Sequence, residues 1–372
     1  MFTIIFGLPW LLVVVRYIMP LPWPWPFQAL LAALLLVASQ YHQFSRLSSG
    51  SIFSPEFPRW LIVAFNLLFG AIVLLAVFQI VLDAATLAIM LVKGRSVAVP
   101  ANIRYAIGIG AVGLSAFGVS QAIRVPPLKD IELAIAGLHP SFDGYRLLQL
   151  TDLHISRLFP AAWAAEVVAK ANGLGADLIV ITGDLIDGSV EHRRLDVQPI
   201  AGLRARDGVY AIPGNHEYFF DYSAWMREYR QLNLRTLLNS HTVIQRDGGQ
   251  LVIAGVTDLS AGHSGNPRPD LALALAGAPP QAAIILLDHQ PMRAAEAASA
   301  GVALQLSGHT HGGMIIGLSR LVARANNGFV SGLYRVGRMQ LYVNNGTGLW
   351  PGFALRLGKP AELTRITLRR RP

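Results

Sequence analysis

Five short apolar runs in the second half of the chain each end in residues able to hold a cation. Leu147-Leu-Gln-Leu-Thr leads into Asp152 and His154, Leu178-Ile-Val-Ile-Thr into Gly183 and Asp184, and Val209-Tyr-Ala-Ile-Pro into Gly214, Asn215, His216 and Glu217. Ile284-Ile-Leu-Leu-Asp leads into His289, and Val302-Ala-Leu-Gln-Leu-Ser into Gly308, His309, Thr310 and His311. Imidazole nitrogens, carboxylates and one amide oxygen suit manganese, iron or zinc. The set is too large for one tetrahedral ion. It suits two ions that share a carboxylate, ~3.5–4 Å apart, as in many enzymes acting on phosphate. Charge narrows the substrate class. Two divalent ions outweigh the negative charges of Asp152 and Asp184, because His and Asn ligands are neutral. Such a site recruits an anion such as phosphate. Water held between two such ions loses a proton readily and can attack phosphorus in line. A histidine outside the ligand set can protonate or stabilise the leaving oxygen.

These residues must be carried by strands. Continuous apolar runs of four to six residues bounded by Gly, Asn and Asp read as buried strands. Candidate strands are 131–136, 145–151, 177–182, 208–212, 251–256, 283–288, 302–306 and 340–344, with helical stretches at 161–173, 223–233 and 291–299. Strands alternating with helices favour a layered α/β sandwich. Open α/β sheets bind ligands at the carboxyl ends of their strands, where these polar residues fall. Taken singly, Asp-x-His, Gly-Asp or Gly-Asn-His is loop punctuation. All five in order, each behind an apolar run, make a specific signal.

This ordered set resembles the calcineurin-like metallophosphoesterase family, in its bacterial membrane-anchored branch, over about residues 131–372. The resemblance implies a four-layer α/β/β/α sandwich and a hydrolase with two divalent metal ions. It also implies that Asp152, His154 and His311 hold the first ion, that Asp184 bridges, and that Asn215, His289 and His309 hold the second. His216 is then the leaving-group acid or transition-state stabiliser. The stretch from Asn344 to Trp350 and a final strand also look like this branch. Two positions depart from it. Met314 stands where glutamine is common, at the pocket rim, and Asp288 precedes His289 where a small residue is usual. Asp288 either orients His289 or points to solvent. Glu217 and Asp187 adjoin ligands and support their loops. Arg293 is read as helix surface ahead of phosphate contact, and His139, His192, His241 and His263 as surface or loop residues.

The first third of the chain has a different composition. Of 372 residues, 53% are hydrophobic and only 14% charged, and the charges before position 121 are Arg16, Arg46, Glu56, Arg59, Asp83, Lys93, Arg95 and Arg104 alone. A membrane span needs ~20 apolar residues. Residues 2–19, 27–44, 60–82 and 103–123 qualify or nearly do, which implies an all-α segment of about four helices. A cleaved signal is disfavoured, since no basic segment precedes the first run and Pro-Trp repeats occupy the place of a cleavage site. Asp83, near a span end, reads as solvated or capping. The expected organisation is a transmembrane helical domain over 1–124, a linker over 125–130 and a metallophosphoesterase domain over 131–372. The expected location is multi-pass in a bacterial inner membrane. Lys and Arg counts in the loops are close to a tie, leaving the side of the catalytic domain open.

Zero cysteines exclude disulfides, thiolate metal sites and cysteine nucleophiles. The net charge of +9 suits anionic lipid and phosphate-bearing substrates. Nucleic acid is disfavoured, because no basic stretch is interleaved with aromatics. The expected substrate is a phosphomonoester, phosphodiester or pyrophosphate, and the helices make a lipid-linked or envelope compound attractive. One candidate is UDP-diacylglucosamine, a pyrophosphate that some phosphoesterases of this superfamily cleave. The competing reading is a catalytically inactive membrane scaffold or sensor on the same fold. A nuclease or cyclic-nucleotide esterase is a third. Oligomeric state is not legible.

Overall fold

A computed structural model describes residues 2–263 and 265–371. The chain forms two compact units, residues 1–122 with 351–357, and residues 123–350 with 358–372.

The first unit is helical. Helix α1 covers Phe2–Val13 and continues as a π-helical turn over Val14–Ile18. The rest comprises α2 (Trp25–Ser39), α3 (Tyr41–Ser49), α4 (Arg59–Lys93) and α5 (Ala101–Ile123). About four spans were expected. Among the described residues, only α4 and α5 are long and apolar enough to cross a membrane. The second expected span breaks at Gln40, beyond which α3 reads Tyr-His-Gln-Phe-Ser-Arg and is too polar to continue it. That leaves α2 with 15 residues, about 22 Å of helix against a ~30 Å hydrocarbon core. The first is likewise short, an apolar helix of 10–17 residues. The third runs on through Asp83 to Lys93 as one 35-residue helix. Asp83 is neither capping nor free, since Arg16 pairs with it at 2.9 Å and Gln79 donates to it at 2.8 Å.

Residues 351–357 complete this unit. The buried Asn66 carboxamide donates to Pro351 O at 2.9 Å and accepts from the Ala354 N–H at 2.6 Å. Tyr41 also donates to Pro351 O, and Leu355 fills a notch left by Gly70 and Gly118.

The second unit holds two six-stranded mixed sheets. Its strands are β1 (Leu128–Ile135), β2 (Arg146–Leu150), β3 (Leu178–Thr182), β4 (Val209–Ile212), β5 (Arg235–Thr236), β6 (Ser240–Arg246), β7 (Gly249–Gly255), β8 (Ala283–Leu287), β9 (Leu304–Ser307), β10 (Gly332–Val336), β11 (Met339–Val343) and β12 (Leu363–Arg370). One sheet has the order β1-β12-β2-β3-β4-β5 and the other β10-β11-β9-β8-β7-β6. The facing sides share one core, with Leu147, Leu178, Val180 and Ile212 against Leu251, Ile253, Ile285, Leu287 and Leu306. Because side chains alternate along a strand, Val252, Ala254, Leu286 and Leu341 face outward. They pack against α10 (Leu271–Leu275) and α11 (Ala294–Ser299). The remaining helices are α6 (Ala161–Asn172), α7 (Val190–Val197), α8 (Asn215–Phe219), α9 (Tyr222–Gln231) and α12 (Ser319–Ala325). Strands β2, β3 and β4 are mutually parallel, as are β7, β8 and β9, so each sheet gathers its carboxyl ends along one edge.

Candidate metal centre

That topology brings the five run ends together. Asp152 and His154 follow β2, Asp184 follows β3, and Asn215 and His216 open α8 after β4. His289 follows β8, and His309 and His311 follow β9. The backbone turns sharply after β2, β3 and β9. Asp152, His154, Asp184, His309 and His311 adopt φ values of 51°, 48°, 51°, 69° and 49°. Left-handed backbone costs a side-chain-bearing residue on the order of 1–3 kcal/mol and persists only where its surroundings enforce it. Hydrogen bonds do so here. The Asp152 N–H donates to Gly183 O at 3.0 Å and the His154 N–H to Asp184 O at 3.1 Å. The His216 N–H donates to Asp184 Oδ1 at 2.9 Å, and the His309 N–H reaches the Asp152 carboxylate at 3.1 Å. Two glycines permit this closeness. A Cβ at Gly214 would stand 2.2 Å from Asp184 Oδ1, and one at Gly308 2.2 Å from Asp152 Oδ2.

The donor atoms fall into three overlapping groups, each within 4.8 Å: Asp152, His154 and His311; His154, Asp184 and His216; Asp184, His289 and His309. Asp184 lies in two of them. Asn215 joins the last, its Oδ1 standing 3.1 Å from His289 Nε2 and 2.8 Å from His309 Nδ1. The ligands expected from sequence are thus gathered in one buried cluster, with His216 beside them.

The donor chemistry fits metal ions. His154 gives its Nδ1 edge to Asp187, which leaves a lone pair on Nε2, yet that atom faces His311 Nε2 at 3.2 Å. Likewise His289 donates from Nδ1 to Thr182 O at 2.8 Å. Its Nε2 then faces Asp184 Oδ2 at 3.3 Å and Asn215 Oδ1 at 3.1 Å. Converging lone pairs need a cation or a proton between them. Without metal, protons serve. Burial opposes charge on His289, but Asp184 and Asp152 outweigh it and hold the imidazole well above its usual range. Burial likewise lowers His216, while Asp184 and Asp187 raise it to about 9. His309 goes the other way, to about 3, through burial and the charge of His289. Burial pushes Asp184 up, yet His289 and His216 hold it well below the carboxylate range. Metal ligation displaces such protons.

Supporting residues carry more than their sequence positions suggested. Asp187 bonds Nδ1 of both His154 and His216 and so aims two rings at once. Glu217 accepts from the N–H groups of Gly214 at 2.6 Å, Leu185 at 2.8 Å and Asp184 at 3.2 Å, and from the Tyr229 hydroxyl at 2.6 Å. Tyr229 carried no signal in the sequence. Asp288 does not orient His289, whose ring is held by Thr182 O, and instead accepts from Gln305. Burial raises Asp288 to about 7. Arg293 pairs with Glu296 at 2.8 Å, the helix-surface role. His139 and His192 bond locally to Ser141 and Ser189, His241 on β6 bonds Ala274 O of α10, and the side chain of His263 lies outside the described residues. The Asn344–Trp350 stretch braces the first ligand loop. Thr347 and Gly348 donate N–H groups to Thr151 O and Asp152 O, both at 2.8 Å.

Residues 145–313 match the model of the calcineurin-like phosphoesterase family. The metallophosphoesterase YkuE of Bacillus subtilis is 32% identical over 235 residues, covering 61% of this chain and 80% of that protein. The chain belongs to the calcineurin-like metallophosphoesterase family. Its clustered His and Asp donors match the two-metal centre that this family uses. Proteins named "Transmembrane protein with metallophosphoesterase domain" are also similar, at 33% identity in Danio rerio and 35% in Bos taurus, over 69% and 70% of this chain. The metallophosphoesterase chain spans 60% and 61% of their lengths.

Proposed function

We propose that this metallophosphoesterase is a multi-pass protein of a bacterial inner membrane. In this reading it hydrolyses a phosphoester or pyrophosphate bond of a lipid-linked or envelope substrate. The observation that carries the reading is the sharing of Asp184 between two donor groups built from five strand ends. The apolar α4 and α5, and relatives named as transmembrane proteins, support the membrane location.

Asp152, His154 and His311 would hold one ion and Asn215, His289 and His309 the other, with Asp184 between them. Bound there, the ions supply positive charge to the phosphoryl oxygens and acidify a nucleophilic water; manganese is the first ion to try. The chain does the rest. Asp187 holds the Nδ1 edge of His216, so the Nε2 edge faces the centre, 3.9 Å from Asp184 Oδ2. From that edge His216 gives a proton to the leaving oxygen. Glu217 fixes the Asp184 and Gly214 backbones, keeping the shared carboxylate in register with His216.

The test is turnover by full-length protein with Mn2+ on aryl phosphate mono- and diesters, glycerophospholipids and UDP-diacylglucosamine. Hydrolysis of at least one ester is expected, with lipid-borne substrates turned over faster than aryl esters. His216→Ala should lower kcat about 10²–10⁴-fold while leaving metal bound. Metal-loaded protein inert toward every substrate would indicate the scaffold or sensor. Nucleotide-ester turnover indifferent to lipid would indicate the nuclease class.

A further inference from the structure

The loop that carries His309 and His311 does not return directly to the sheet. It makes an excursion over residues 314–330 before β10 begins. Both ends of the excursion are tied beside the ligands. At its start, Gly313 packs so closely on Ser319 that a Cβ would stand 2.6 Å from the Ser319 Cα. At its end, the Thr310 hydroxyl donates to Val330 O at 2.7 Å. Compact loops pinned at both ends commonly serve function.

Its composition is unlike that of a solvated loop. Ile316 is 73% exposed, Leu318 37% and Leu321 61%. Helix α12 within it buries none of its residues. A seven-residue helix with no buried face is marginal alone in water. Arg320 and Arg324 stand on this helix, both exposed, and neither pairs with a carboxylate among the described residues. No acidic residue occurs anywhere between Glu296 and Glu362. Phe219, 48% exposed, lies 5.2 Å from the His216 ring by centroids and adds apolar surface at the site. Exposed Ile and Leu interleaved with unpaired Arg is the pattern of segments that lie in the headgroup layer of a bilayer. There the apolar side chains enter the acyl boundary and the cations meet anionic lipid. A protein partner would need acidic groups against both arginines, and nothing here points to one.

We propose that residues 314–325 dock onto an anionic lipid surface. Ile316, Leu318 and Leu321 insert, Arg320 and Arg324 pair with headgroup phosphates, and the ligand loop is thereby held at the membrane where a lipid-borne phosphate ester resides. This deepens the proposed lipid-linked substrate and rests on that reading.

The chain has no cysteine, so Leu321→Cys accepts a single environment-sensitive fluorophore. The labelled full-length protein is reconstituted in vesicles of neutral phosphatidylcholine alone and of phosphatidylcholine with phosphatidylglycerol. In the anionic vesicles the emission should shift to the blue and a lipid-borne quencher should reach the label. Arg320→Gln and Arg324→Gln should each lower the docked fraction about fivefold. A label that stays aqueous in both vesicle types overturns the proposal. So does an equal shift in neutral vesicles, or one that grows with protein concentration, which would place a second copy on this face. Aryl phosphate turnover in the same vesicles separates the two readings. Turnover with an aqueous label removes the docking alone, and a docked label without turnover removes the phosphoesterase reading alone.

Discussion

Asp187 is the residue on which two imidazoles depend. It fixes Nδ1 of His154, which faces the first donor group, and Nδ1 of His216, which faces the leaving oxygen in the proposed reaction. Partners of this kind are typically worth 10–100-fold in metal affinity. Asp187→Asn should therefore weaken metal binding by that factor and lower kcat beyond what saturating metal restores. Metal titration followed by turnover at saturation checks both effects. His216→Ala, by contrast, should lower kcat with little change in affinity. Glu217 poses a different case. Four donors converge on its carboxylate, and Glu217→Gln presents an amide to some of them. Each buried group left unsatisfied costs about 1–3 kcal/mol. The variant should unfold at a clearly lower temperature, even in metal-loaded protein, and calorimetry or circular dichroism would show it.

At the scale of elements, the glycines decide whether ligand loops can close. A Cβ at Gly214 would collide with both Asp184 Oδ1 and Asp184 N, at 2.2 and 2.6 Å. Gly214→Ala should lose at least one metal ion while the sheets persist, seen as reduced metal content with an unchanged far-ultraviolet spectrum. Much of this arrangement was legible in sequence. All eight strands expected from apolar runs are present, most of them because buried parallel strands are continuous and short. Strands β5, β6 and β10 carried no such signal. Strand β5 has two residues, and β6 and β10 lie at a sheet edge where polar residues such as Gln245 and Arg335 are tolerated. The clustering of the candidate donors was legible because a strand end, a glycine and a metal-binding side chain stand together in sequence. The aiming of His154 and His216 by one carboxylate was not, since it joins side chains 33 and 29 residues apart. Helix α3 shows the reverse failure, an apolar window extended across Gln40 into residues too polar for a span.

At the scale of the whole molecule, composition separates a helical segment poor in charge from a catalytic segment rich in it. The apolar surfaces of α4 and α5 predict that the full-length chain sediments with membranes, resists extraction by salt or alkali, and is released by detergent. Residues 351–357 belong to the helical unit although they lie late in sequence, so a chain cut before them removes the bonds of Asn66 to Pro351 O and the Ala354 N–H. The proposed chemistry turns on two cations sharing Asp184. Elemental analysis of purified full-length protein, paired with aryl phosphate turnover before and after chelation, tests it most directly. The expected result is two divalent ions per chain, loss of turnover on chelation, and recovery on adding Mn2+, with Asp184→Asn holding fewer ions and inactive. Turnover that survives complete metal removal, or a native chain that binds no metal, would contradict it.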